Sequence, residues 1–126
     1  MRDSSTGSSS DYKMVLVVRG ELRLTAGKAA VQVAHAAVLL ALEGARKKSP
    51  SFQSWWDQGQ KKIAVVASTL DEMESLARGA RRAGLPFVWV EDAGFTEVPP
   101  GTRTCLGLGP ARSDKIDPLT RDLPLL

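Results

Sequence analysis

Three polar side chains, Lys28, Gln32 and His35, recur at i, i+4 and i+7 in an otherwise apolar run from Gly27 to Leu40. At about 100° per residue these positions fall within about 60° of one another on a helix. An ammonium, an amide and an imidazole therefore share one narrow face, with Val33, Ala37 and Leu40 turned away from it. A helix this apolar is expected to be largely buried. Burying an ammonium is costly unless a carboxylate meets it or it lines a wet cleft, so the stripe is expected to look into a site. The plain alternative is the solvent side of an amphipathic helix. Against it, such faces usually run wide and rich in charge, whereas this one is bordered by Ala29, Ala36 and Leu39 and holds the chain's single histidine.

A second group of reactive side chains lies far along the chain, in Glu91-Asp92-Ala93-Gly94-Phe95-Thr96-Glu97 and on through Pro100-Gly101-Thr102-Arg103-Thr104. A carboxylate at the end of a strand, small residues that admit a substrate, and hydroxyls a few residues on are what orienting a water molecule requires. Asp92 is the candidate partner for Lys28. The alternative is a turn in which Asp92 and Thr96 only satisfy backbone donors. Gly107-Leu108-Gly109 is too weak a pattern for a phosphate loop, and the chain has no nucleophile elbow, metal motif or Walker sequence.

These groups need a scaffold that brings two distant segments to one rim. Met14 to Val18 is a continuous apolar run of strand length, suited to a strand buried on both faces. The striped helix extends to about Lys48 and stops at Ser49-Pro50, and a short helix over Ser51 to Asp57 carries Trp55 and Trp56, at least one of which packs on the core. Lys61 to Ala67 reads as a second strand. A helix follows, capped by Ser68 or Thr69, with acids in its first turn, arginines in its last, and Gly84 and Pro86 to end it. Strands over Pro86 to Val90 and Thr102 to Leu108 precede a short helix near Ser113 to Asp117. This alternation implies right-handed crossovers and a mainly parallel sheet with helices on both faces, the last strand antiparallel or at an edge. In such sheets ligands bind beyond the carboxyl ends of the strands, here after Arg19 and after Glu91.

The 126 residues, 43% hydrophobic and 25% charged, are enough for one domain with a proper core. Residues 1–12, rich in Ser, are expected to be a disordered leader and 13–126 a single domain. One Cys and one His cannot build a tetrahedral zinc site or an internal disulfide, which suits a reducing cytoplasm, and Cys105 reads as a small core residue. The apolar run 31–42, broken by Gln32 and His35, is too short for a bilayer, so no membrane is expected. A net charge of +3 permits a polyanionic partner. Arg19, Arg23, Lys28, Lys61, Lys62, Arg103 and Arg112, all near element ends, are expected to gather along one rim.

Taken in order, Met14-Val15-Leu16-Val17-Val18-Arg19, the helix Gly27 to Ala36, Trp56 with Gly59-Gln60-Lys61-Lys62, Glu91-Asp92-Ala93-Gly94 with Thr96, Pro100-Gly101-Thr102 with Thr104, and Leu106-Gly107-Leu108-Gly109-Pro110 resemble the archaeal and eukaryotic type of peptidyl-tRNA hydrolase. The resemblance covers Lys13 to Leu126. It implies a three-layer α/β/α sandwich with a four-stranded mixed, mainly parallel sheet, usually a homodimer, that needs no metal or other cofactor and cleaves the ester between a peptide and the terminal ribose of tRNA. Carried over by position, it makes Lys28, Asp92, Thr96 and Thr104 the active-site residues, with Gln32 and His35 beside them.

Asp92 would orient or deprotonate water; Lys28 would stabilise the oxyanion, hold Asp92 ionised or bind a phosphate; the threonines would position water or ester. His35, the obvious general base by type, is expected to lie too deep and to brace the site through Gln32 or a backbone carbonyl. Arg19, Arg103 and Phe95 are candidate substrate contacts, Phe95 by stacking on the terminal adenine or simply by packing. Many relatives carry a basic residue and Gln where this chain has Phe95 and Glu97, so weaker tRNA affinity is expected. The alternatives are a non-catalytic RNA- or protein-binding module on the same fold and a small-ester hydrolase. A steep loss of affinity with salt would mark a tRNA ligand.

Overall fold

The structure is a computed structural model that describes residues 10–93 and 97–126. Strand β1 (Tyr12–Arg19) is apolar on both sides, with Met14, Leu16 and Val18 entering one layer and Val15 and Val17 the other. A 3-10 turn, Gly20–Leu22, leads to α1 (Ala26–Arg46), α2 (Pro50–Asp57), β2 (Lys62–Ala67), α3 (Leu70–Arg82), β3 (Phe87–Glu91), β4 (Arg103–Arg112) and α4 (Ser113–Thr120). Three of the helices start on a hydroxyl: Thr25, Ser49 and Thr69 each accept a hydrogen bond from the N–H three residues on, which satisfies a donor the helix cannot. Thr69, not Ser68, is the cap of α3, and Gly84 at φ +71 takes the left-handed turn that ends it.

The strand order is β2-β1-β4-β3. The expected four-stranded mixed sheet is present, but it is not mainly parallel: β1 pairs parallel with β2, while β4 pairs antiparallel with both β1 and β3. The first three strands do run in one direction, as their helical connections demand. The return from β3 inserts β4 between β1 and β3, turning two of the three pairings antiparallel, and β4 is therefore central instead of at an edge. Because β1 and β3 still point the same way, their carboxyl ends open on the same rim.

One layer, α1 with α2, packs on Met14, Leu16, Val18, Val90 and Cys105 through Ala36, Leu40 and Trp55. On the opposite face, α3 and α4 pack Met73, Leu76, Ala80 and Ile116 against Val15, Val17, Leu106 and Leu108. Trp55 is buried, its indole N–H donating to the Lys61 carbonyl at 2.8 Å, while Trp56 is half exposed. Gly107 lets α1 lie close to β4, since a Cβ there would meet Leu40 Cδ1 at 2.7 Å and the Ala36 Cβ at 3.2 Å.

Helix α1 is less buried than its composition suggests. Ala29, Gln32, Ala36 and Leu40 form its buried line, whereas Val31, Val38, Leu39 and Leu42 are 45–64% exposed. The polar stripe thus does not lie opposite the core; Gln32 sits within the buried line and Lys28 and His35 flank it. The apolar run 31–42 belongs to a longer helix: at 21 residues α1 is long and apolar enough, by length and composition, to cross a bilayer, though here it lies along the sheet. Nor do the basic residues share a rim. Lys62 pairs with Met14 and Arg112 with Tyr12, at the start of β1, whereas Arg19 ends that strand.

Candidate active site

Two backbone devices bring the reactive groups together. The Thr25 cap starts α1 just beyond the end of β1, so that Lys28 falls in its first turn. Across the rim, Asp92 N–H donates to the Thr102 carbonyl and Gly101 N–H to the Asp92 carbonyl, both at 2.9 Å, which pins the start and end of the long loop to each other. The Lys28 ammonium donates to Asp92 Oδ1, with the two side chains only 10% and 2% exposed. An ion pair so little hydrated holds its geometry, because separating its two charges away from water is strongly unfavourable.

Beneath the pair lies a second buried contact. Thr104, fully buried on β4, donates its hydroxyl to the Gln32 side-chain carbonyl and stands 3.3 Å from the Val90 carbonyl. That fixes the Gln32 amide one turn below Lys28. Its NH2 group makes no hydrogen bond to the described residues. Lys28, Gln32 and His35 line one side of a cavity of about 410 Å³, and Trp89 to Ala93 the other. Thr104 touches this space only through Gln32.

His35 is exposed on the cavity wall and makes no hydrogen bond among the described residues, so it neither lies too deep nor braces Gln32 or a backbone carbonyl. Arg19 lies outside the cavity, its guanidinium donating to Glu21 at 2.7 Å and to the Arg103 carbonyl at 3.3 Å. Arg103 points to the other face of the sheet, over the Trp89 ring. Phe95 and Thr96 lie outside the described residues. Burial pushes the Cys105 thiol up to about 12, and a thiol so hard to ionise is no nucleophile near neutral pH.

Glu97 has a role that its residue type did not announce. Its carboxylate accepts from both the backbone N–H, at 3.0 Å, and the hydroxyl of Thr25, tying the far loop to the amino terminus of α1. The signal was a helix-capping Thr three residues before Lys28 together with an acid in the facing loop, since a helix amino terminus attracts negative charge. Those hydrogen bonds hold the Glu97 carboxyl below its ordinary 4.5. A depressed folded-state value means the tie is complete above about pH 4.5 and is lost as pH falls toward the lowered value. In an NMR titration the Thr25 amide is expected to hold its shift from neutrality down to that point and move only below it. A midpoint above 4.5 would show that the tie is absent.

Fold and site together define an open α/β domain whose strand ends hold a paired amine and carboxylate in a cleft, an arrangement suited to activating water beside an electrophile. The family described as Peptidyl-tRNA hydrolase PTH2 matches residues 12–126. A protein named peptidyl-tRNA hydrolase from Staphylothermus marinus is 46% identical over 118 residues, covering 94% of this chain and 98% of its own. One of the same name from Methanopyrus kandleri is 49% identical over 115 residues, 91% of this chain and 98% of its own. A solved protein of unknown function from Agrobacterium shares only the fold, with a TM-score of 0.57 and 8% identity over 92% of this chain and 98% of its own. The chain belongs to the peptidyl-tRNA hydrolase PTH2 family.

Proposed function

We infer that this chain hydrolyses the ester joining a peptide to the terminal ribose of tRNA, releasing the peptide and a tRNA fit for reuse. Family membership supports the reaction, and the buried contact between Lys28 and Asp92 at the cavity is the observation that carries the mechanism. Asp92 orients a water and takes its proton as the oxygen attacks the ester carbonyl. Negative charge then builds on the carbonyl oxygen, where the Lys28 ammonium and the N–H donors of Gln32 receive it; one well-placed donor of this kind is worth roughly 10²–10³ in rate. Collapse breaks the bond to the ribose oxygen, which leaves as a hydroxyl by taking the proton that Asp92 received from water, and Asp92 is again a carboxylate. Thr104, held off the cavity, is a positioning residue that fixes Gln32. Thr96 belongs to the same reading as a group that holds water or ester, and His35, Arg19, Arg103 and Phe95 as substrate contacts.

The reading includes a homodimer, as family resemblance implies, and a cytoplasmic location, which the chain's single cysteine suits. Its test is incubation of the purified chain with N-acetyl-aminoacyl-tRNA, with sedimentation of the same preparation for the dimer. Deacylated tRNA is expected to accumulate, and the apparent affinity to fall steeply as salt rises. An intact ester after prolonged incubation would overturn the assignment; turnover indifferent to salt would point to a small-ester hydrolase.

A further inference from the structure

We propose that the tRNA body of the substrate docks over the α3 face of the sheet, its phosphates held by Arg78, Arg81 and Arg103 against an aromatic shelf of Phe87 and Trp89. This rests on the peptidyl-tRNA reading and adds to it the path the nucleic acid takes away from the ester.

Phe87 and Trp89 are i and i+2 on β3 and so project to one face of the sheet. The Arg81 guanidinium lies 5.2 Å from the Phe87 ring centroid, and that of Arg103 lies 4.4 Å from the Trp89 centroid. Stacking occupies the flat face of a guanidinium and leaves its N–H edges pointing outward, the geometry that meets phosphate oxygens. Arg78, one turn before Arg81 on α3, lines the same open cavity of about 280 Å³. Among the described residues that line it the one acid is Glu74, 3.5 Å from Arg103, so there three cations face one anion.

Position supplies the second step. Trp89 lines both this cavity and the one that holds Lys28 and Asp92, and Arg103 pairs in register with Glu91, the residue before Asp92. A strand whose 3′ end sits at the Lys28–Asp92 pair therefore meets Trp89 and then the arginines within one sheet edge. On the α1 side the same cavity is lined by exposed Val31, Val38 and Leu39, which offer a phosphate nothing. Contacts to the backbone position a nucleic acid without reading its sequence, as an enzyme that must accept many tRNAs requires.

The experiment compares the full-length chain with Arg78→Gln/Arg81→Gln and with Lys47→Gln/Lys48→Gln, which removes the same charge from the far end of α1. Binding of labelled deacylated tRNA is followed across salt concentrations, and hydrolysis of N-acetyl-aminoacyl-tRNA is followed separately. Arg78→Gln/Arg81→Gln is expected to bind roughly 10-fold more weakly at physiological salt, to lose about 1.5 from the slope of log affinity against log salt, and to raise KM with kcat unchanged. The lysine pair is expected to change little. Equal losses in both variants, no loss in the arginine pair, or a parent chain that does not bind tRNA would each overturn the proposal. Arginine-dependent binding without hydrolysis would sink the catalytic assignment and leave this surface standing; hydrolysis indifferent to the arginines would do the reverse.

Discussion

Asp92→Asn leaves a folded chain that still binds tRNA but releases peptide about 10²–10⁴-fold more slowly, the range a positioned acid–base group contributes. The substitution keeps shape and one oxygen, so Lys28 retains an acceptor and the loop retains its backbone hydrogen bonds to Thr102 and Gly101. What disappears is a charged oxygen able to hold and deprotonate water. Stability falls by about 1–3 kcal/mol, because a neutral amide is a poorer partner for a little-hydrated ammonium. Single-turnover hydrolysis and urea unfolding measure the two effects independently. A variant that hydrolyses peptidyl-tRNA at the parental rate removes Asp92 from the chemistry, whatever its contact with Lys28.

That pairing is legible in the sequence because both of its members stand at element ends. A lysine three residues past the capping Thr25 and an aspartate directly after β3 occupy the two places where parallel strands open onto a common rim, and periodicity suffices to locate both. The same reading misjudged the sheet for a local reason. Periodicity reports that β4 is apolar on both faces but not which neighbours it takes, and its insertion between β1 and β3 is decided by long-range pairing. It misjudged α1 because apolar residues mark where burial is possible and leave open whether a partner element exists. Val31, Val38 and Leu42 are as apolar as Leu40, yet only Leu40 meets the sheet. By type alone Glu97 is a negative charge that weakens tRNA affinity, whereas its carboxylate is engaged with Thr25. A residue's type states its charge, and only the packed chain states where that charge is used.

Charge also decides the second large effect, the replacement of Lys28. Lys28→Met removes an oxyanion donor and the counter-ion of Asp92 in one step, so activity is expected to fall at least as far as in Asp92→Asn, and stability much further. Asp92 is 2% exposed at its side chain, and breaking a buried ion pair by removing one member typically costs about 3–5 kcal/mol. The double variant Lys28→Met/Asp92→Leu separates the two losses. With both charges gone nothing remains to be neutralised, and an apolar pair of similar volume is expected to recover most of the stability while recovering none of the catalysis. Urea midpoints for the two singles and the double give the coupling directly. Additive destabilisation would mean that the two groups hold no shared charge in solution; recovery of stability with activity still absent would show that this buried contact is kept for its chemistry, at a cost to the fold that a hydrophobic pair would avoid.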